Sequence, residues 1–585
     1  MQQNESEIYR STQLLGRKYV EYLAPTLFMN IALAITNVMN ATIIGNMLGS
    51  DALAASNLCM PAFSFINAVF NTVIMGACTL IVADKGAMKS DRADRSFTQL
   101  SIFGMGLMIL LTLGIVLFLN PLAVVFTGGV SNREILALVK EYLFPLAFSF
   151  PLVFISLGGA TILRTDGHPH FGAVIILIAG IINLAADLLF IYVFHWGMAG
   201  ASWASVAGFG CASLFVIPYF FFRTRSLHYC QLGKKPLQGL GSIFLTGLPS
   251  GSTSLFLSAR LLLLNMMVFR LFDSGGAAAF AVYFSTLYFA NMFILGTTQA
   301  MQPISAMLFG EKDYSGLKGL VRMVLLAAIF IAVSFSLLFL FFPDFVGYFF
   351  GLKGEGLKLL PQALAALAIA FPFSAVNYFY LSYTQTIRRP GLGMIISFFG
   401  SIGFIAALSP IFYFVFPGNF WYVIPASEIL TTILLYVQIC RLCRRENVSM
   451  RLVKEDRVPT LDLSIKQSEV QAISLSEQVI RFSLEHGIDL RRANAAGVIV
   501  EETAINIIRH SGVKKQSGSS RMILDIVVRI DGEDIIGRFR DAGRSYNPLS
   551  IEDPPPESGI GLIHRLAKEE KYMRTLGFNI FYFRL

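Results

Sequence analysis

Twelve long apolar runs fill the first three quarters of the chain, and a different rhythm takes over after them. The runs lie near 22–46, 53–83, 98–120, 136–163, 170–195, 199–222, 243–271, 276–308, 317–342, 358–387, 391–416 and 420–442. Each reaches the roughly 20 apolar residues a helix needs to cross a bilayer. Several contain Pro or Gly, which spanning helices tolerate when neighbours satisfy the freed backbone groups. Beyond the last run the period changes. Residues 461–465, 521–530, 535–540 and 577–585 alternate and predict strands, while 468–485, 490–510 and 559–568 predict helices. This is an α+β tail: one sheet with helices on one face.

Charge follows the same division. Residues 459–585 hold 17 basic and 17 acidic side chains, whereas the preceding 458 residues hold 29 and 20, so the net +9 belongs to the apolar part alone. No basic face is concentrated on the tail, and nucleic acid is therefore not expected as a partner. Within the apolar part, every second connection is basic. Arg10, Arg17 and Lys18; Lys85, Lys89, Arg92 and Arg95; Arg164; Arg223, Arg225, Lys234 and Lys235; Lys312, Lys318 and Arg322; Arg388 and Arg389; and Arg441, Arg444 and Arg445 alternate with connections holding chiefly Arg133, Lys140, Lys353 and Lys358. The bias predicts a multi-pass protein of the cytoplasmic (inner) membrane with both termini cytoplasmic. Residues 1–10 are polar and the first apolar run is long, so no cleaved signal peptide is expected. Cys59, Cys78 and Cys211 sit in apolar runs, and Cys440 and Cys443 form a CxxC with no second pair after it; neither pattern predicts a metal site.

The apolar part repeats itself. A shift of 224 residues lays Pro25 on Pro249, Gly86 on Gly310 and Arg164 on Arg388. The predicted organisation is a cytoplasmic N-terminus (1–18), a transmembrane N-lobe (19–225), an inter-lobe linker (226–239), a transmembrane C-lobe (240–443), a basic linker (444–459) that either lies against anionic lipid headgroups or simply flanks the last span as a stop-transfer signal, and the tail domain (460–585). A 6+6 body of this kind is expected for a transporter whose site lies between the halves.

Pro25, the stretch Asn40-Ala-Thr-Ile-Ile-Gly45, Leu48-Gly49 and Ala54-Ala55 resemble the opening helix pair of the MATE (multidrug and toxic compound extrusion) transporters. So do Asn183-Leu-Ala-Ala-Asp187 and Gly197-Met-Ala-Gly200 in the fifth and sixth runs. The resemblance covers about residues 15–440. Asp187 is the deepest acidic residue of the N-terminal half, with Asn183 one turn earlier on the same face. A carboxylate inside a membrane is costly and functional by default, and can exchange a proton or hold a small cation. The resemblance implies that Asn183 and Asp187 form a cation site of the N-lobe. One departure concerns Asn40, which stands where the family usually has an Asp and can coordinate but not titrate. Another is the seventh run, where 250–259 holds no acidic residue and Arg260 follows. Arg260 pairs either with an anionic substrate group or with a carboxylate elsewhere. Coupling through Asp187 to H+ or Na+ is expected, driving export of a small organic, cationic or amphipathic, substrate. No Walker A pattern occurs, so ATP-driven pumping of the P-loop kind is not expected.

Three clusters carry the chemistry of the tail. Glu501-Glu502-Thr-Ala-Ile-Asn506 sets Glu502 and Asn506 one turn apart on a helix, where a carboxylate and an amide can position water and Mg2+. Arg540-Asp541-Ala-Gly543 leaves a strand into a glycine turn. Ser558-Gly559-Ile-Gly561-Leu562 opens a helix, whose N-terminal N–H groups can approach phosphate. In this order they resemble the N, G1 and G2 boxes of the GHKL ATPase fold. Asn506-Ile-Ile-Arg-His510 and Asp541-Ala-Gly-Arg-Ser-Tyr-Asn547-Pro548 are similar to its anti-sigma-factor serine kinase branch. The resemblance implies ATP and Mg2+ as cofactors, Glu502 as general base, Asn506 as Mg2+ ligand, Asp541 as adenine contact, and Gly543, Gly559 and Gly561 as loop glycines. The segment 544–558, with Glu552 and Pro554, would be the ATP lid; Arg565 stands within reach of a terminal phosphate or at the surface. Three functions remain open at this point: an ion-coupled exporter regulated by an ATP-binding tail; a membrane receptor whose tail is a serine kinase or ATPase acting on an anti-sigma-antagonist-like protein; and a lipid or glycan flippase.

Overall fold

A computed structural model of the chain describes residues 11–585 except 128–132, 222–224, 273, 351, 353–354, 450–451, 455–457, 467–468, 511–522, 551–553 and 556–557. Arg10, Arg223, Lys353 and the Glu552 end of the expected lid lie outside the described residues.

Among the described residues, eleven helices are long and apolar enough to span a bilayer, and a bent pair brings the number to twelve. They are α1 (Gln13–Leu48), α2 (Asp51–Gly86), α3 (Ser90–Leu117), α4 (Arg133–Ala147 with Ser149–Thr165), α5 (Pro169–Val193) and α6 (Gly197–Tyr219) in the first half. The second half has α7 (Leu240–Val268), α8 (Ala278–Glu311), α9 (Tyr314–Phe341), α10 (Gly356–Thr386), α11 (Pro390–Val415) and α12 (Pro417–Glu446). The 42° bend in α4 falls at Phe148, where the ring of Pro151 opposes the carbonyl of Ala147, four residues earlier. At 36 residues α1 is about 54 Å long and outruns a hydrocarbon core of about 30 Å. Leu14, Leu15 and Tyr19 in its first turns are buried, in a cluster that joins residues of the body and of the tail.

The halves repeat in backbone detail. Met88 and Lys312, one 224-residue shift apart, both take the left-handed conformation, at φ +57° and +58°. The halves touch where small residues let backbones meet: a Cβ on Gly76 would lie 1.9 Å from the carbonyl oxygen of Ile243, and one on Gly247 1.8 Å from that of Thr72. At the end bearing the basic connections, Arg388 of the second half pairs with Asp84 of the first at 2.9 Å.

The tail is a five-stranded antiparallel sheet, β1 (Thr460–Lys466), β2 (Ile523–Asp531), β3 (Asp534–Asp541), β4 (Glu569–Thr575) and β5 (Phe578–Arg584), in the order β1-β2-β3-β5-β4. Helices α13 (Glu469–Glu485), α14 (Leu490–His510) and α15 (Gly559–Leu566) complete it. The period of two sorts the strands' side chains. Leu524, Ile526, Val528, Ile530 and Phe539 form the core with α13 and α14. Ile523, Phe578 and Ile580 point the other way and join a cluster with Tyr19, Tyr22 and Met307 of the body. The sheet is thus covered on both faces, by its own helices and by the membrane body. The strand β4 was not expected: Glu569-Glu-Lys-Tyr-Met-Arg-Thr575 is polar on both faces, as an edge strand can be, and shows no alternation.

The expected basic linker 444–459 begins inside the last helix and is partly anchored to the body. Helix α12 continues to Glu446, which pairs with Arg389 at 2.6 Å; Leu452 and Val453 are buried against the body, and the Leu452 carbonyl accepts from Arg389 Nε at 2.7 Å. Leu452 and Val453 therefore pack on protein, while Arg444, Arg445 and Lys454 are exposed.

Candidate functional sites

In the first half, Asp187 ends the α-helical part of α5, and a π-helical stretch, Leu188–Val193, follows at once. Such bulges re-aim side chains and are frequent at functional sites. Asp187 is 2% exposed, and its Oδ2 is buried without a hydrogen-bond partner. The Oδ1 atoms of Asn183 and Asn40 are likewise buried and unpartnered, although Asn183 Nδ2 donates to Ser205 Oγ at 3.3 Å. Helices α1 and α5 run side by side: a Cβ on Gly180 would lie 2.6 Å from Thr36 Oγ1, one turn before Asn40 and Asn183 on their helices. Three oxygen donors are thus offered from two adjacent helices, a set suited to a proton or a hard cation.

The second half holds a cavity of about 180 Å³ between α2, α7, α8 and α10. Its polar lining includes Ser250, Asn291, Gln302 and Gln385, with Arg260 the single charged residue. Ser250 and Gln385 satisfy one another at 2.9 and 2.8 Å. Beside it, Arg260, Asn377 and Glu428 line a smaller pocket. Glu428 is buried and accepts from Asn377 Nδ2 at 2.7 Å. Sequence reasoning passed over Glu428, although an acidic residue inside the run 420–442 is the signal that singled out Asp187.

In the tail the three clusters meet. A Cβ on Gly559 would lie 2.0 Å from Glu502 Oε2 and 3.4 Å from Asn506 Nδ2, so only glycine lets α15 start against α14. Asn506 Nδ2 is buried without a partner. Asp541, at the end of β3, accepts at Oδ1 from Gly543 N–H (2.7 Å) and Asn579 Nδ2 (3.0 Å). Burial pushes its carboxyl above the usual range, and those two donors partly offset this. Asn506, His510, Asp541, Tyr546 and Asn579 line a cavity of about 30 Å³, over which the Tyr546 ring stacks on His510 at 4.3 Å. Of the predicted residues only Asn506 and Asp541 line it; Glu502, Gly543, Gly559 and Gly561 do not. The Gly561 N–H already donates to the helix cap, Ser558 Oγ, at 3.1 Å. Arg565 is exposed. An unpartnered amide N–H beside a glycine cradle fits a phosphate oxygen, Mg2+ would need the Asn506 Oδ1 instead, and Asp541 with Asn579 fits a base edge.

One feature escaped the sequence reading. Arg540, next to Asp541, turns its guanidinium to the body and bonds Glu311 Oε2 (2.7 Å), Asp313 Oδ2 (2.9 Å) and Asp525 Oδ2 (3.0 Å), all four side chains being 3% exposed or less. Arg538 Nη1 donates to the Glu311 carbonyl, and the Ser11 N–H to Ser464 Oγ at 2.9 Å. Glu311 and Asp313 sit in a connection chosen for its basic residues, which concealed their role.

A family model described as MatE matches residues 25–189 and 249–411, two segments that begin at the prolines 224 residues apart. The chain belongs to the MatE family. The matched segments contain Asp187 and Arg260, and end before the tail. Among curated relatives, the multidrug export protein MepA of Staphylococcus saprophyticus is 22% identical over 384 residues, covering 64% of this chain and 83% of its own. MepA of Staphylococcus haemolyticus is 23% identical over 338 residues, covering 57% and 72%. Among solved structures, a mutant of the Vibrio cholerae MATE transporter VcmN superimposes with a TM-score of 0.69 at 18% identity, over 76% of this chain and 99% of that one. An outward-facing MATE family transporter of the MOP superfamily gives 0.68 at 20% identity, over 76% and 100%. The MatE body is therefore a multi-pass membrane transporter fold, and the tail is an addition beyond it.

Proposed function

We propose that the protein exports small organic molecules across the cytoplasmic membrane, driven by H+ or Na+ bound at Asp187, and that its cytosolic tail is an ATP-binding regulator. The reading rests on Asp187: a carboxylate buried in a MatE body with no ion-pair partner among the described residues, beside the unpartnered oxygens of Asn183 and Asn40. Isolated buried charge is costly, so the site favours either the protonated acid or an occupying cation. One charge crossing 100 mV supplies about 2.3 kcal/mol, enough for roughly a 50-fold gradient.

The regulatory part follows from the adjacency of Arg540 and Asp541. Asp541 and Asn579 would hold the adenine edge, Gly543 would let the backbone turn there, Asn506 would hold Mg2+ with Glu502 as base, and Gly559 and Gly561 would admit the phosphates. Tyr546 must turn off His510 to admit a purine. Bound Mg-ATP would supply a charged group whose seating moves the end of β3, and Arg540 carries that movement to Glu311 and Asp313. The basic end of the body is then the cytoplasmic one, where ATP is found.

The test uses the full chain in liposomes, with release of a fluorescent organic solute under an imposed pH or sodium gradient, with and without Mg-ATP. Gradient-driven flux lost in Asp187→Asn supports coupled export, and an ATP-dependent rate lost in Asp541→Asn supports the regulator. ATP turnover abolished by Glu502→Ala, with no flux under either gradient, would favour the receptor reading and a phosphorylated protein partner.

A further inference from the structure

We propose that the cavity of the second half binds an amphipathic organic anion, with the Arg260 guanidinium as its counter-charge. Arg260 lies twenty residues into α7, about 30 Å along the helix from its basic end, and is 5% exposed. Its Nε is buried without a hydrogen-bond partner. Among the described residues it makes no ion pair; its one close contact with a charge-seeking group is the Phe284 ring face, 5.8 Å away. A guanidinium carries five N–H donors in a planar fork matched to carboxylate, sulfonate or phosphate. Leaving it bare in a membrane interior is expensive, and natural proteins pair such a charge or neutralise it. Arginine cannot lose its proton, so the second route is closed to it.

The surroundings argue for a ligand rather than an internal partner. No residue lining the cavity is acidic. Glu428, the carboxylate sharing the adjoining pocket, is engaged by Asn377 and forms no ion pair with Arg260. It is close enough to keep an empty site from holding a wholly uncompensated charge, and not so close as to occupy the fork. Asn291, whose Oδ1 is buried and unpartnered, can turn its amide to present N–H groups to the same anion. Phe284, Tyr288, Met292 and Leu295 supply the apolar wall. A cation, the other charge class expected of a substrate here, would meet Arg260 and no counter-charge on this lining. The proposal leans on the export reading only for the claim that the bound anion is then moved.

The experiment uses two fluorescent probes sharing one dansyl group and differing in a permanent charge: dansyl-taurine, a sulfonate, and dansylaminoethyl-trimethylammonium. Anisotropy measured with the purified full chain reports binding. The sulfonate is expected to bind in preference to the trimethylammonium probe. Arg260→Gln should weaken it by about tenfold or more, Arg260→Lys should recover part, and Glu428→Gln should tighten it several-fold by removing the competing charge. Preference for the cation, unchanged sulfonate binding in a monodisperse Arg260→Gln protein, weaker binding in Glu428→Gln, or no binding of either probe would overturn the proposal. A second arm follows both probes, and a trace of NBD-labelled phosphatidylglycerol, in vesicles of neutral lipid. Sulfonate that binds but crosses under no ion gradient leaves the anion site standing and removes the export reading. Flipping of the labelled lipid without movement of the sulfonate would overturn the small-molecule assignment in favour of a lipid headgroup.

Discussion

The two halves of the body share a fold and carry opposite charges at their centres. Among the described residues, the first half buries Asp187 with no ion pair, and the second buries Arg260 with no ion pair although Glu428 shares its pocket. Shifted by 224 residues, Asp187 falls on Ile411, Asn183 on Ala407, Arg260 on Thr36 and Glu428 on Ala204. None of these charged residues has a charged counterpart. The burial also differs: Ile411 is 48% exposed, on the lipid side, where Asp187 is 2% exposed. Duplication thus supplied helix positions and breaks, while each half acquired its chemistry alone. On the reading proposed above, the carboxylate of the first half would serve the ion and the guanidinium of the second, with Glu428 nearby, the substrate.

Separate tasks can be broken apart by experiment. The largest effect is expected for Asp187→Asn, which should lower gradient-driven flux about 100-fold or more while leaving sulfonate binding at Arg260 within about twofold; joint loss would show that one site serves both tasks. Next comes Arg540→Ala, which leaves Glu311, Asp313 and Asp525 buried without their cation, at a cost of about 3–5 kcal/mol. Hydrogen exchange should rise in β2 and β5, at the face covering the body, while fluorescence of a probe at Arg260 stays unchanged. Ile411→Asp tests the broken symmetry: a lipid-facing carboxylate costs about 2.5–3.5 kcal/mol on insertion, so expression in the membrane should fall, with no second coupling site created. The smallest effect is expected for Asn40→Ala, a single neutral donor worth about 1 kcal/mol, read as a roughly fivefold rise in the ion concentration for half-maximal flux.

What could be read from the sequence depended on whether a signal was local. The spanning runs, the 224-residue repeat and the strands β1, β2, β3 and β5 are written in apolar periodicity. Asp187 was legible because one acid in an apolar run is an anomaly by itself. The same signal lay at Glu428, eight residues into the last run, and was missed. Strand β4 could not be read, since an edge strand with two polar faces has no period. The docking of the tail was invisible for a different reason. Arg540, Glu311 and Asp313 look like ordinary surface charges, and only their meeting across 227 residues of chain makes them a buried cluster.

That meeting also orders the protein's biosynthesis. Glu311 and Asp313 emerge from the ribosome 227 residues or more before Arg540, an interval on the order of 10–45 s at bacterial elongation rates. During it the body must insert and settle with that acidic pair still in water and with the cluster around Leu14, Leu15 and Tyr19 incomplete. Phe578 and Ile580, made more than 550 residues after Leu14 and Tyr19, complete the cluster that holds all four. A ribosome that stalls before β5 would therefore leave an inserted MatE body whose apolar cluster lacks Phe578 and Ile580, a ready mark for a quality-control protease.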